Sequence, residues 1–236
     1  MPPTLAVLLY ASLAAFAAGL GAVPLLVRSP LPLRWIGWAN AVASGLMLGV
    51  AYALMTAGGA ADGAGAAGAL LGIAFVAGTH AATGTGDLDL NRIGETSADY
   101  GYKVLLVNTL HAAHEGIAIG AAMAVSLPFG ISMALAIGAH NLPEGAILSA
   151  ILTSRGVRLR DAAALAVAAN VNQVLLAVVT FAVVAAAPAL LVWARGFAVG
   201  ALIYLVMVEL LPESYRQAGR TGIALVAVVA MGVVVL

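Results

Sequence analysis

Two short segments of the chain carry an imidazole and a carboxylate at helical spacing: His111-Ala112-Ala113-His114-Glu115-Gly116 and His140-Asn141-Leu142-Pro143-Glu144-Gly145. In each, a histidine and a glutamate stand four residues apart and share one helix face. Both segments lie inside apolar stretches long enough to cross a bilayer. An ionised carboxylate at that depth costs about 2.5 to 3.5 kcal/mol on insertion scales, so it faces inward and takes a partner. One divalent cation answers all four side chains. Two imidazoles and two carboxylates match the ligand types and number of a tetrahedral zinc site, and they also suit iron(II), manganese or cadmium. A doubly charged ion between two glutamates is neutral, which removes much of the penalty of burying either.

The surroundings of the two motifs extend the polar face. His114 projects beside His111 and Glu115, and Asn108 lies one turn away on the same side. Asn141 follows His140 directly, as a further oxygen ligand of the cluster. A single intramembrane histidine such as His114 or His80 is otherwise accounted for by an interhelical hydrogen bond. Pro143 cannot donate to the carbonyl of Ala139, and its ring pushes that turn open where the ligands sit. Such a defect survives in lipid only where it is buried in protein or lines a cavity. Gly116, Gly120, Gly138 and Gly145 allow neighbouring backbones to approach closely.

These motifs need a frame of helices, and composition supplies one. Of 236 residues 63% are hydrophobic and 8% charged, and the mean hydropathy is +1.08, which is the composition of a polytopic membrane protein whose solvent is lipid. Ten basic and ten acidic residues cancel, leaving no basic patch for a nucleic-acid partner. No cysteine is present, so a metal must be held by imidazole, carboxylate, amide or thioether groups. Apolar blocks fall at 4–27, 36–57, 64–83, 103–125, 129–152, 161–185, 189–211 and 219–236, which predicts an all-α fold of eight transmembrane helices in a single domain. The first block lacks the basic flank of a signal peptide and is expected to be a retained span. The one long connection, 84–102, carries Asp87, Asp89, Glu95, Asp99 and Arg92 and reads as a solvated, flexible connector.

Nine of the ten basic residues fall in or beside alternate loops: Arg28, Arg34, Arg92, Lys103, Arg155, Arg158, Arg160, Arg216 and Arg220. Only Arg195 sits apart. The positive-inside bias makes those loops cytoplasmic and puts both termini outside. The fourth-span motif recurs 29 residues later in the fifth, pairing His111 with His140, Glu115 with Glu144 and Gly116 with Gly145. With three spans on each side of that pair, the layout is 3+2+3 with an inverted repeat, the metal site lying between helices 4 and 5. Trp35, Trp38 and Trp193 sit at span ends as interfacial anchors, and Met47, Met123 and Met133 read as packing residues.

The eight-span layout, the Gly-Ala-Val-Pro end of span one, HAAHEGIAIG, AHNLPEG and the span-seven run VELLPES resemble the ZIP (Zrt- and Irt-like) family of divalent metal transporters over essentially the whole chain. The resemblance implies passage of zinc or related ions toward the cytoplasm by an elevator-like, alternating-access movement, with His111, Glu115, His140 and Glu144 as the main site. It also implies a second metal position beside the first, whose residues here read Ala112, Asn141 and Gln173 near Asn170. The missing acids argue against a tight binuclear site. Asn108, Asn141, Asn170 and Gln173 then form a neutral pathway lining or make ordinary interhelical hydrogen bonds. His114 is an extra ligand or a proton acceptor. Glu209 and Glu213 correspond to an exit-side acidic pair, or are interfacial carboxylates reaching water beside Arg216. The implied setting is an integral, multi-pass protein of a bacterial inner membrane, with no cofactor other than the transported ion, and small-residue faces that permit a homodimer.

Two other functions use the same residues. A proton-coupled carrier of another solute would employ the His/Glu pairs as a relay. An intramembrane metalloenzyme would activate water on the ion, but the run HEGIA from His114 has Ala118 where His-Glu-x-x-His needs its second histidine, and no nucleophile accompanies it, so the chain is read as no enzyme. Because imidazole binds a cation only when deprotonated, metal uptake is predicted to slow as pH falls through the imidazole range near ~6.5, measured as flux across a pH series.

Overall fold

The structure is a computed structural model that describes residues 1–27, 32–57, 63–83 and 98–235. Arg28 and the acids and arginine of the long connection, Asp87, Asp89, Arg92 and Glu95, lie outside the described residues, as does the side chain of Asp99. All described secondary structure is helical. In chain order the elements are α1 (Pro3–Leu20), α2 (Pro24–Val27), α3 (Leu33–Thr56), α4 (Gly63–Thr83), α5 (Ala98–Val125), α6 (Leu127–Ser154), α7 (Leu159–Ala169), α8 (Val171–Ala186) and α9 (Leu190–Leu205). A π-helical turn (Val206–Leu210) joins α9 to α10 (Leu211–Ala218), and α11 (Arg220–Val235) ends the fold.

Among the described residues six segments are long and apolar enough to span a membrane: Pro3–Val27, Leu33–Thr56, Gly63–Ala82, Leu127–Ser154, Leu159–Ala186 and Leu190–Ala218. The chain is therefore an all-helical, multi-pass membrane protein. α5 has 28 residues but carries Asn108, His111, His114 and Glu115 along its middle, and α11 is apolar but only 16 residues long. Three apolar blocks are divided or bounded differently, the first of them, 4–27, being the two helices α1 and α2. The block 161–185 is two helices, broken at Asn170. The block ending at 211 continues as helix to Ala218, because Pro212 falls in the first turn of α10, where its missing N–H has no bond to make.

The helices pack in two groups. α1, α5, α6, α7 and α8 pack together on one side, while on the other α3 holds α10, α11 and α9, and α9 holds α4; the two groups meet where α3 packs on α6 and α5 on α9. Backbone contact makes each group tight. Gly145 of α6 lies so close to the Ala18 carbonyl of α1 that a Cβ would fall on it, and Gly116 of α5 meets Gln173 of α8 in the same way. In the second group Gly200 of α9 is pressed against Ala69 of α4. Such approaches let backbones touch where lipid offers no hydrophobic drive for helix association. Between the groups runs one apolar core including Val7, Met47, Leu54, Ile119, Met123, Ile137 and Leu202.

The α5–α6 connection fixes the relative depth of the two motifs. Ser126 caps α6, its Oγ accepting from the Phe129 N–H at 3.3 Å, with Pro128 in the first turn. His111 lies 15 residues before Ser126 and His140 lies 14 after it, so both histidines sit about 21 to 22 Å along antiparallel helices from the turn. Arg195, the basic residue set apart in the sequence, is buried, and its Nη1 donates to the Ala57 carbonyl at 3.0 Å. A cation there meets the negative end of the α3 dipole.

Gly145→Ala is expected to lower stability by about 1 to 3 kcal/mol through overpacking against Ala18. Gly232→Ala, where a Cβ meets nothing within 4 Å, serves as the neutral comparison when unfolding midpoints are measured in detergent.

Candidate metal centre

The imidazoles and carboxylates gather into two trios. Glu115 of α5 joins His140 and Glu144 of α6: the His140 Nε2 is 3.1 Å from Glu115 Oε1 and 3.8 Å from Glu144 Oε2. His111 of α5 joins His80 of α4 and Glu209 of the π-helical turn: the two Nε2 atoms are 3.1 Å apart, and Glu209 Oε2 is 3.3 Å from His80 and 3.8 Å from His111. Within each trio one ligand atom per residue lies inside 4.8 Å of the others. Bonds of 2.0 to 2.1 Å at a tetrahedral ion put neighbouring ligand atoms about 3.3 to 3.4 Å apart, so these separations suit a cation of zinc size without large rearrangement.

Helix periodicity explains the division. His111 and Glu115 are four residues apart on α5, so they stack one turn apart on the same face and each serves a different trio. His140 and Glu144 are likewise stacked on α6, and Pro143 between them removes the N–H that would have reached Ala139. Glu209 is delivered by a π-helical turn, a local widening that recurs at functional sites in helices. A cavity of about 80 Å³ joins the trios, lined by Asn108, His111, His140, Glu144, Glu209 and Glu213 among others. That volume admits several waters, enough for a partly hydrated ion.

The trios differ in charge. Glu115 and Glu144 together neutralise a divalent ion, whereas Glu209 alone leaves it with a net positive charge. At low effective dielectric that difference makes the Glu115–His140–Glu144 position the firmer one. Glu115 is wholly buried and His140 and His111 nearly so.

The other residues singled out in the sequence take separate places. His114 is fully buried with its ring 5.8 Å from that of His111, outside both trios, and neither ring nitrogen has a hydrogen-bond partner among the described residues. Asn141 also stands outside the trios: its Nδ2 donates to Gln173 Oε1 and to the Ala14 carbonyl, each at 2.9 Å, tying α6 to α8 and α1. Asn170 sits at the α7–α8 break and donates to the Ala166 carbonyl at 3.0 Å. Asn108 lines the cavity. Glu213 is buried, paired with Arg216 and accepting from Gln217 Nε2 at 2.6 Å. Two residues that were not read as part of a site reach it, His80 as a member of a trio and the buried Asn40 of α3 in the cavity lining.

Residues 80–236 match the family described as ZIP Zinc transporter. Over 92% of its length the chain is 32% identical to an Arabidopsis thaliana protein described as a candidate zinc transporter, covering 36% of that protein. It is 34% identical over 48% of its length to the zinc transporter GufA of Myxococcus xanthus, covering 44% of it, and 27% identical over 52% to mouse (Mus musculus) zinc transporter ZIP10, covering 15%. The chain thus spans less than half the length of each of these relatives.

Added zinc is expected to raise the unfolding midpoint of the purified chain. His140→Ala leaves Glu115 buried without its imidazole, so it should lower metal-free stability by about 3 to 5 kcal/mol and remove most of the zinc effect. His80→Ala should reduce the zinc effect less, since His80 belongs to the singly acidic trio. Equal losses in the two variants would contradict the ranking by charge.

Proposed function

The chain belongs to the ZIP family of zinc transporters, and on that footing we propose that it carries divalent transition-metal ions, zinc foremost, across the membrane toward the cytoplasm through the two His/Glu trios. Its relatives' names support metal-ion transport, and iron(II), manganese and cadmium suit the same donors. The observation that carries the reading is the Glu115–His140–Glu144 trio, buried but for a half-buried Glu144, where two carboxylates and an imidazole converge with no lysine or arginine of the described residues paired to them.

Eight spans complete the transporter in this reading, α5 and α11 joining the six strongly apolar segments in a 3+2+3 order with an inverted repeat about the central pair. The positive-inside bias places the arginine-bearing ends of α6, α7, α10 and α11 in the cytoplasm and both termini outside. An ion sheds water at the outer side, exchanges it for Glu115, His140 and Glu144, and passes to His111, His80 and Glu209, His111 lying one turn nearer the arginine-bearing end than Glu115. The weaker charge of that second trio favours release, and Glu213 and Asn108 line the way. Binding must stay moderate, since an ion held like a structural zinc would not leave. Access alternates as α1, α5, α6 and α8 move as one body against α3, α4, α9 and α11, an elevator-like displacement supported by the two packing groups. The ion is substrate here, and the proposed role is no enzyme's.

Radiolabelled zinc flux into proteoliposomes tests the reading. Glu115→Ala and Glu144→Ala should each lower flux by roughly tenfold or more, since even partners one shell further out change metal affinity 10- to 100-fold. Flux equal to that of the unaltered chain in both variants would remove the proposal, and flux of another solute without metal would favour a proton-coupled carrier.

A further inference from the structure

Apart from the metal centre, a second pocket lies at the arginine-bearing end of the bundle, between α10 and the start of α11. It is open, has a volume of about 770 Å³, and is lined by Pro212, Tyr215, Arg216, Arg220, Thr221 and Ala224. The corner between the helices is Gly219, whose φ of +87° is the left-handed region that glycine adopts without strain. The chain therefore reverses within one residue and sets the two helix ends side by side.

The lining is ordered by depth. Arg216 stands one turn above Pro212 on α10, and Arg220 one turn above Ala224 on α11, both arginines being nearer the end of the bundle. Cationic and hydroxyl groups thus occupy the outer level, with Tyr215 and Thr221 beside the arginines, and apolar groups the inner one. Below Ala224 the outward face of α11 continues with exposed Leu225 and Val228. No carboxylate among the described residues pairs with Arg220. Arg216 is paired with Glu213, but a guanidinium has five N–H groups and one such pair leaves others to donate.

The geometry points to a binding site for the headgroup of an anionic phospholipid: Arg216 and Arg220 take the phosphate, Thr221 and Tyr215 donate to it, and the glycerol and acyl chains descend past Pro212 and Ala224 along α11. A free anion would use only the outer level. A lipid uses both, and the pocket opens where one membrane-spanning segment, Leu190–Ala218, ends and the apolar helix α11 begins. Basic pockets between helices at the cytoplasmic face are suited to such headgroups.

The test uses the full chain in neutral detergent, titrated with dioctanoyl phosphatidylglycerol, dioctanoyl phosphatidylcholine or inorganic phosphate, with the unfolding midpoint as readout and no metal present. Phosphatidylglycerol should raise the midpoint at concentrations where phosphatidylcholine and phosphate do not. Arg220→Gln should raise the half-saturating lipid concentration roughly fivefold, the equivalent of one arginine at an anionic surface. Arg158→Gln, on another basic loop, should leave it unchanged. If Arg220→Gln alters the lipid-free midpoint, Thr221→Glu replaces it, placing a negative charge at the phosphate and weakening lipid binding at least as much. Equal shifts with phosphatidylcholine, equal shifts with inorganic phosphate, or an equal loss in Arg158→Gln would each overturn the assignment.

Discussion

A carboxylate that no water reaches governs this molecule. Glu115 is wholly buried in the middle of a helix, within a chain only 8% of whose residues are charged. A group of that kind persists when the protein holds something positive against it, and among the described residues no lysine or arginine does so: the near neighbour is an imidazole, which is neutral or charged as its surroundings dictate. The α5–α6 hairpin, the short cap at Ser126 and the glycine contacts of Gly116 and Gly145 all serve to hold that arrangement at one depth.

The polar residues around the trios fall into two places. His111, His140, Glu144, Glu209 and Glu213 line the cavity together with the amides Asn40 and Asn108. Behind them Asn141, Gln173 and Asn170 bond to one another or to helix carbonyls. A neutral amide pair can stitch three helices together in lipid without adding a charge that a passing ion would have to leave. Asn141 and Gln173 thus act on packing, while the acids of the trios are the groups proposed to hold the cation.

How much of this was legible in the sequence depends on the reach of helical spacing. His111 with Glu115, His140 with Glu144 and Glu213 with Arg216 are local, and three- or four-residue spacing alone puts each pair on one face. The helical, membrane-crossing character follows from composition. His80 and Glu209 were beyond that reach, because they meet His111 from 31 and 98 residues away in the chain and no periodicity links them. Glu209 is further displaced by the π-helical turn, which a period of 3.6 does not anticipate. The break at Asn170 was hidden in an unbroken apolar run, since an asparagine flanked by Ala and Val leaves average hydropathy almost unchanged. Asn141 read as a ligand because of its neighbour His140, although adjacent helical positions point about 100° apart.

The two trios stand differently with respect to the packing groups. Glu115, His140 and Glu144 all belong to α5 and α6, inside one group, whereas His111 comes from that group and His80 and Glu209 from the other. Any sliding of one body past the other carries the first trio along undisturbed and pulls the second apart. Under the proposed movement the second is then a docking latch, whole only while the two bodies stay together, and an ion bridging it would act as a pin until it departs.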